Sequence, residues 1–261
     1  MVCAAPRGSP ITWYSGGVNL LLVEQGEVAS DGTITLEDRR SDHLRRIIGA
    51  GVGDSVRAGV LAGRVGKATV LSDDGTRMTL ALELIDPAPA PMPVELVLAV
   101  PRPKVLTRTI EAAAAFGVLR IDLTNAWRVD KSYLASPRLL PDPLAYALRF
   151  GAEQGGNTHL PPLKIHDRLM GFLDERFPSA TSGAPTTRLI AHPGAPPIES
   201  ATLSWPLAIA IGPEGGWIQR ELETFGERGF TPVSFGQPIL RVEQALAVAL
   251  GQLLLLQRTR P

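Results

Sequence analysis

The stretch LAIAIGPEGGWIQREL, Leu207 to Leu222, sets an apolar run against a turn made of Gly212, Pro213, Glu214, Gly215 and Gly216, and then continues as helix-like sequence. A short apolar run bounded by turn residues predicts a strand buried on both faces. The turn is nearly bare of side chains, which lets its backbone come close to a neighbour. Two further Gly/Pro segments end predicted strands in the same way: HPGAPP, His192 to Pro197, and FGQPILR, Phe235 to Arg241. Taken singly, each is an ordinary strand-to-helix turn. If the strands run parallel, the three gather at one sheet edge and wall a pocket with backbone, because ligands in such sheets bind beyond the carboxyl ends of the strands.

Outward from this stretch, strands predicted in VELVLAVP, LRIDLTN, TRLIAHP, LAIAI and TPVSFG alternate with helices in KVLTRTIEAAAAFGV, PDPLAYALRFGAEQGG, IQRELETFGERG and RVEQALAVALGQLLLLQ. That rhythm predicts an α/β fold with a parallel sheet covered on both faces. Upstream, DPAPAPMPVE, Asp86 to Glu95, carries four prolines and reads as a semi-rigid linker. It divides a β-rich domain over 1–88 from the α/β domain over 92–261. The first domain shows a strand in GTITLED, three or four short strands between Gly53 and Ile85, and a helix in SDHLRRIIGAG. Ser41 is its expected N-cap and Gly49 or Gly51 its stop. These elements predict a small barrel-like domain. The segment Ala180 to Arg188 reads as an exposed loop.

The 261 residues carry equal numbers of acidic and basic side chains, with a sequence pI near 6.9, so no global charge advertises nucleic acid. Residues 1–90 hold nine Lys/Arg against eleven Asp/Glu. Basic residues do cluster locally, as Arg39, Arg40, Arg45 and Arg46, and as Arg128, Lys131, Arg138 and Arg149. The single cysteine, Cys3, excludes an internal disulfide framework and a multi-cysteine metal site. There is no 18-residue apolar run and no secretory pattern in the leader MVCAAPRGSPITWYSGG, which is expected to be loosely ordered. A cytoplasmic setting follows as the expectation.

The turn at 212–216 lacks the Lys-Ser/Thr of a phosphate loop and the spacing of a dinucleotide fingerprint, which argues against triphosphate hydrolysis. A compact ligand recognised mainly by backbone remains. Glu214 is expected to cap the following helix or complement its dipole. Arg241 and Glu243 flank Val242 where the last helix begins. An arginine beside a pocket holds an anion or stacks on a base, whereas Glu243 in a first helical turn serves either the dipole or a ligand. His43 is expected to be a surface or capping residue, and His159 and His166 lack partner spacing, so no metal site is expected.

LAIAIGPEGGW followed by FGQPILRVEQALAVAL resembles the signature of the SPOUT-class enzymes that methylate N3 of a uridine in small-subunit ribosomal RNA. DHLRRIIGAGVGDSVRAGV is similar to that family's N-terminal PUA-like barrel, TRTIEAAAAFGVLRIDL to its first helix–strand unit, and AYALRFGAEQGGNTHLPPL to its Glu-Gln-x-Gly-Arg segment. The resemblance implies a trefoil-knotted parallel-sheet methyltransferase domain preceded by a PUA-like β-barrel, a homodimer, S-adenosyl-L-methionine as cofactor and ribosomal RNA in the small subunit as partner. It implies a cofactor site at His192, Pro193, Gly194, Ile211, Gly212, Pro213, Glu214, Gly215, Gly216, Phe235, Gly236, Ile239 and Leu240. Arg241 would stabilise charge on the uracil and Glu243 would orient it. Arg45, Arg46, Arg128, Lys131 and Arg149 are the implied RNA contacts.

The chain departs from the family at Val242 and Gln244, where threonines are usual, at Asn157, where arginine is usual, and in EAAAAFG, where a lysine is usual. These departures leave open a diverged relative that acts on another RNA or has lost activity. A nicotinamide- or nucleotide-dependent α/β enzyme is the other class of reading, and the missing fingerprints count against it.

Overall fold

The computed structural model describes residues 19–178 and 187–259. The leader with Cys3, and most of the loop expected at 180–188, lie outside them. In chain order the elements are β1 (Leu21–Val23), β2 (Thr33–Leu36), α1 (Arg39–His43), β3 (Ser55–Val60), β4 (Val65–Asp73), β5 (Met78–Asp86) and β6 (Met92–Ala99). There follow α2 (Pro103–Phe116), β7 (Val118–Thr124), α3 (Lys131–Leu134), α4 (Pro141–Gly155), β8 (Leu163–His166) and α5 (Leu169–Arg176). The chain closes with β9 (Thr187–Ala191), β10 (Leu207–Ile211), α6 (Gln219–Glu227), β11 (Phe230–Val233) and α7 (Val242–Thr259).

The first five strands form one sheet in the order β1-β3-β4-β5-β2, with β1 and β3 parallel and the other pairs antiparallel. Leu21, Val23, Ile34, Leu36, Ala58 and Leu80, drawn from both edges and the middle, bury one shared core. The expected linker is shorter than its proline content suggested. β5 runs to Asp86 and β6 begins at Met92, because proline is tolerated at a strand start where its missing N–H is not needed. The N-cap of α1 is Asp38, not Ser41: its carboxylate accepts from Arg40 N at 2.8 Å. Both are capping residue types, and the earlier one starts the helix. Gly49 ends the following π-type turn at φ 74°, as expected of a left-handed stop.

The remaining six strands form an entirely parallel sheet in the order β11-β9-β10-β6-β7-β8. All five residues of β10 are buried, so both of its faces are covered. β10 enters between β6 and β9, both of which precede it in the chain. Helices α2 and α4 cross closely because Gly151 and Gly155 face it: a methyl on either would run into the Glu111 or Ala115 carbonyl. Asn157, at the position where the resembled family has arginine, closes this crossing by donating its Nδ2 to Ala115 O at 2.6 Å.

The two sheets meet along a seam that combines a small buried apolar cluster of Leu20, Leu22, Val65 and Ala152 with polar links. Leu20 N donates to Glu153 O at 2.8 Å and Ala62 N to Thr158 O at 2.7 Å. Arg149 pairs with Glu24 at 2.6 Å, and Arg39 with the largely buried Glu153 at 3.1 Å. Elsewhere, His166 is not the isolated histidine its sequence neighbours suggested. It lies 2.7 Å from Asp122, which Arg120 also holds, and both His166 and Asp122 are buried. The two are brought together by the pairing of β7 with β8, 44 residues apart in sequence.

Candidate functional site

β9, β10 and β11 are neighbours and parallel, so the segments after them emerge at the same sheet edge. His192 N donates to Val233 O at 2.9 Å, and Ser234 N to Pro196 O at 2.9 Å, which ties the HPGAPP loop to the end of β11. The Gly212–Gly216 turn closes on itself through Gly216 N and Pro213 O at 2.8 Å. Gly216 takes φ 70° and Gly236 φ 128°, conformations that side-chain-bearing residues rarely adopt.

Together the three segments enclose a cleft of about 390 Å³. Of the residues expected to bind a ligand, His192, Pro193, Ile211, Gly212, Pro213, Glu214, Gly215, Gly216, Phe235, Gly236, Ile239 and Leu240 line it, as does Arg241. Gly194 and Glu243 do not, although each adjoins a lining residue or sits within one helical turn of it. Trp217, Ser234 and Ala245 also line the cleft and were not singled out in the sequence, and Val242, a departure from the resembled family, lines it too. A Cβ on Gly212 would stand 3.0 Å from the Trp217 indole nitrogen, so the glycine is what admits that ring.

Glu214 does not cap the helix that follows it. Its Oε1 accepts from Arg102 N at 2.9 Å, at the start of α2, and so stabilises that helix from across the sheet edge. The start of α6 is closed instead by Glu221, whose Oε2 accepts from Ile218 N at 3.0 Å. The other oxygen of Glu221 accepts from Trp127 N at 2.8 Å, and this buried carboxylate thereby binds the loop after β7 to α6. Sequence separation of 94 residues hides that contact from any local reading. Arg128 follows Trp127 and donates to Gly215 O in the cleft wall.

Arg241 is exposed at the cleft, and neither its guanidinium nor the Glu243 carboxylate has an ion-pair partner among the described residues. Gln244 accepts from Arg241 N at 3.1 Å, which fixes the backbone at the start of α7. The expected RNA contacts divide. Arg45 is committed to Asp73 at 2.8 Å, and its guanidinium, with the Gly75 N–H, pulls the Asp73 carboxyl down to about 2. Arg149 is committed to the seam. Arg46 is 77% exposed and approaches Asp42 only at 4.0 Å, and Arg128 and Lys131 lie beyond β7 on the cleft side. Among the described residues no group of three or more His, Cys, Asp or Glu is placed to hold a metal ion, and no helix is long and apolar enough to cross a membrane.

Residues 88–254 match the family described as RNA methyltransferase domain. The chain is 26% identical over 240 residues to ribosomal RNA small subunit methyltransferase E of Treponema pallidum, covering 89% of each protein. It is 25% identical over 232 residues to ribosomal RNA small subunit methyltransferase E 1 of Borreliella burgdorferi, covering 89% of this chain and 95% of that one. The crystal structure of a ribosomal RNA small subunit methyltransferase E from Neisseria gonorrhoeae, bound to S-adenosyl methionine, shares the fold with a TM-score of 0.72 at 22% identity. It covers 91% of this chain and 98% of its own.

Proposed function

The chain belongs to the RNA methyltransferase domain family, and from that premise we propose that it transfers a methyl group from S-adenosyl-L-methionine to N3 of a uridine in small-subunit ribosomal RNA. The observation that carries this reading is the backbone-walled cleft beyond β9, β10 and β11, with an unpaired arginine at its mouth. The names of the Treponema and Borreliella relatives support the RNA substrate. The ligand in the Neisseria structure supports the methyl donor.

The residues present suit that donor. A cleft near 390 Å³ lies in the usual range for small-molecule sites. Its walls at 212–216 and 234–236 offer backbone N–H and C=O groups with little side chain between them. His192, Pro193, Gly194, Ile211, Phe235, Ile239 and Leu240 complete the proposed cofactor site. When bound, the donor supplies a sulfonium methyl that is already electrophilic. The protein's task is then to align the uracil and manage its N3 proton. Arg241 places a positive charge where the ring gains negative charge as that proton leaves. Glu243, near the same helix start, orients the uracil.

On this reading residues 92–261 form the trefoil-knotted SPOUT domain, and the late insertion of β10 between β6 and β9 supports the knot. Residues 1–88 form a PUA-like barrel that grips RNA. Two copies associate as a homodimer, a reading supported by the exposed Leu254 and Leu255 on α7. The enzyme works in the cytoplasm on small subunits. Calorimetry with S-adenosyl-L-methionine, paired with labelled-methyl transfer to small subunits lacking the N3 mark, tests the reading. Binding with transfer is expected. Binding without transfer would point to another RNA, and absence of binding would overturn the methyltransferase reading.

A further inference from the structure

The loop after β7 holds one side chain in an unusual position. Ala126 and Val129 are both buried, each 7% exposed, and belong to the core of the parallel sheet, while Trp127 between them is 79% exposed. The exposure does not come from a loose loop. Trp127 N is held by Glu221 at 2.8 Å, Val129 N donates to Ala126 O at 3.0 Å, and Arg128 donates to Gly215 O. The backbone is therefore pinned on both sides of the residue. Tryptophan has among the largest apolar surfaces of any side chain and is buried on average, so a pinned loop that leaves it in water forgoes that burial.

The surroundings say what would cover it. Trp127 stands one residue from a contact with the wall of the methyl-donor cleft, and a Cβ on Gly215 would lie 3.0 Å from Arg128 Cδ. The nearby cations are Arg128, Lys131 and Arg102, the last with a side chain 66% exposed. The nearby carboxylates are engaged, Glu214 with Arg102 N, Glu221 with two backbone N–H groups, and Asp130 with Ser132 N at 2.9 Å. A flat aromatic face amid cations suits a stacked nucleobase with its phosphates alongside, since unpaired bases are recognised by aromatic stacking and basic side chains. We propose that Trp127 is a stacking platform for an unpaired base of the RNA substrate, next to the target uridine, with Arg128 and Lys131 holding its backbone. The inference rests on the RNA methyltransferase reading above and adds to it a substrate-binding residue.

The test compares wild type, Trp127→Ala and Trp127→Tyr. Anisotropy of a labelled single-stranded, uridine-containing RNA oligonucleotide gives RNA affinity, and methyl transfer to small subunits gives KM and kcat. Calorimetry gives donor affinity, and sedimentation gives the oligomeric state. Loss of a base–aromatic stack predicts RNA binding and KM weaker by about tenfold or more in the alanine variant. Tyrosine should recover most of that loss, with donor affinity and assembly unchanged. RNA affinity unchanged in Trp127→Ala would overturn the proposal, and so would a loss that tracks dissociation of the assembly, since a second copy would then be what covers the ring. If the wild type bound the oligonucleotide through Trp127 but transferred no methyl, the reaction assigned above would fall while the platform stood. Transfer by the wild type with RNA affinity indifferent to Trp127 would give the reverse.

Discussion

The two sheets use their cations differently. In the N-terminal sheet Arg40 is bound to Glu27 and Asp38, Arg45 to Asp73 and Asp42, Arg77 to Glu37, and Lys67 to Glu83. At the edge of the parallel sheet, Arg241 has no ion-pair partner among the described residues, and Arg102 approaches Glu214 only to 4.0 Å through its side chain. A chain with no net charge thus ties most of these N-terminal cations into ion pairs and leaves others unpaired at a cleft mouth. Composition cannot reveal that division, because it depends on which carboxylates lie within reach.

The largest effect that would sharpen this contrast is expected at the cleft wall. Gly215→Arg would drive a long side chain into a site already touched by Arg128, and the affinity for S-adenosyl-L-methionine should fall by more than about 100-fold in calorimetry. The N-terminal sheet should stay folded by circular dichroism, and undiminished affinity would contradict the placement of this turn at the cofactor. A smaller but still large change is expected at the mouth. Arg241→Ala should lower kcat by about 10² to 10³ with donor affinity unchanged, as for loss of one preorganised charge-stabilising donor. Glu243→Gln should cost less, about tenfold, if it orients rather than stabilises. A full rate in both variants would move the chemistry to other residues. The smallest effect concerns RNA. Lys131→Ala should reduce the slope of log affinity against log salt by about 1, whereas Arg45→Ala should leave it unchanged because its guanidinium is already engaged by Asp73. The opposite ranking would make the N-terminal sheet the principal grip and break the comparison.

Much of this was legible in the sequence because the parallel sheet announces itself through continuous apolar runs and glycine stops. The helices ending at Gly117 and Gly156 stop on residues with φ 68° and 70°. The backbone-walled cleft was legible for the same reason, since three Gly/Pro segments after parallel strands have only one edge to occupy. What escaped were short or long-range features. β1 has three residues and β8 four, too few to show a period. The Asp122–His166 pair depends on strand pairing. Glu214 serves α2 and Glu221 serves the β7 loop, so local capping rules assigned the first to the wrong helix and were silent on the second contact. Trp127 carries no sequence signal at all, because exposure is decided by how its neighbours are anchored.

The close crossing of α2 and α4 has a metric consequence. One end of α2 is fastened to the turn that walls the cleft, through Arg102 and Glu214, and the other abuts Asn157, beside the seam with the N-terminal sheet. Its 14 residues make a strut about 21 Å long, and the glycines of α4 leave it no slack. The distance from the cleft wall to the seam is therefore a fixed length, and neither can shift along the helix axis without carrying the other with it.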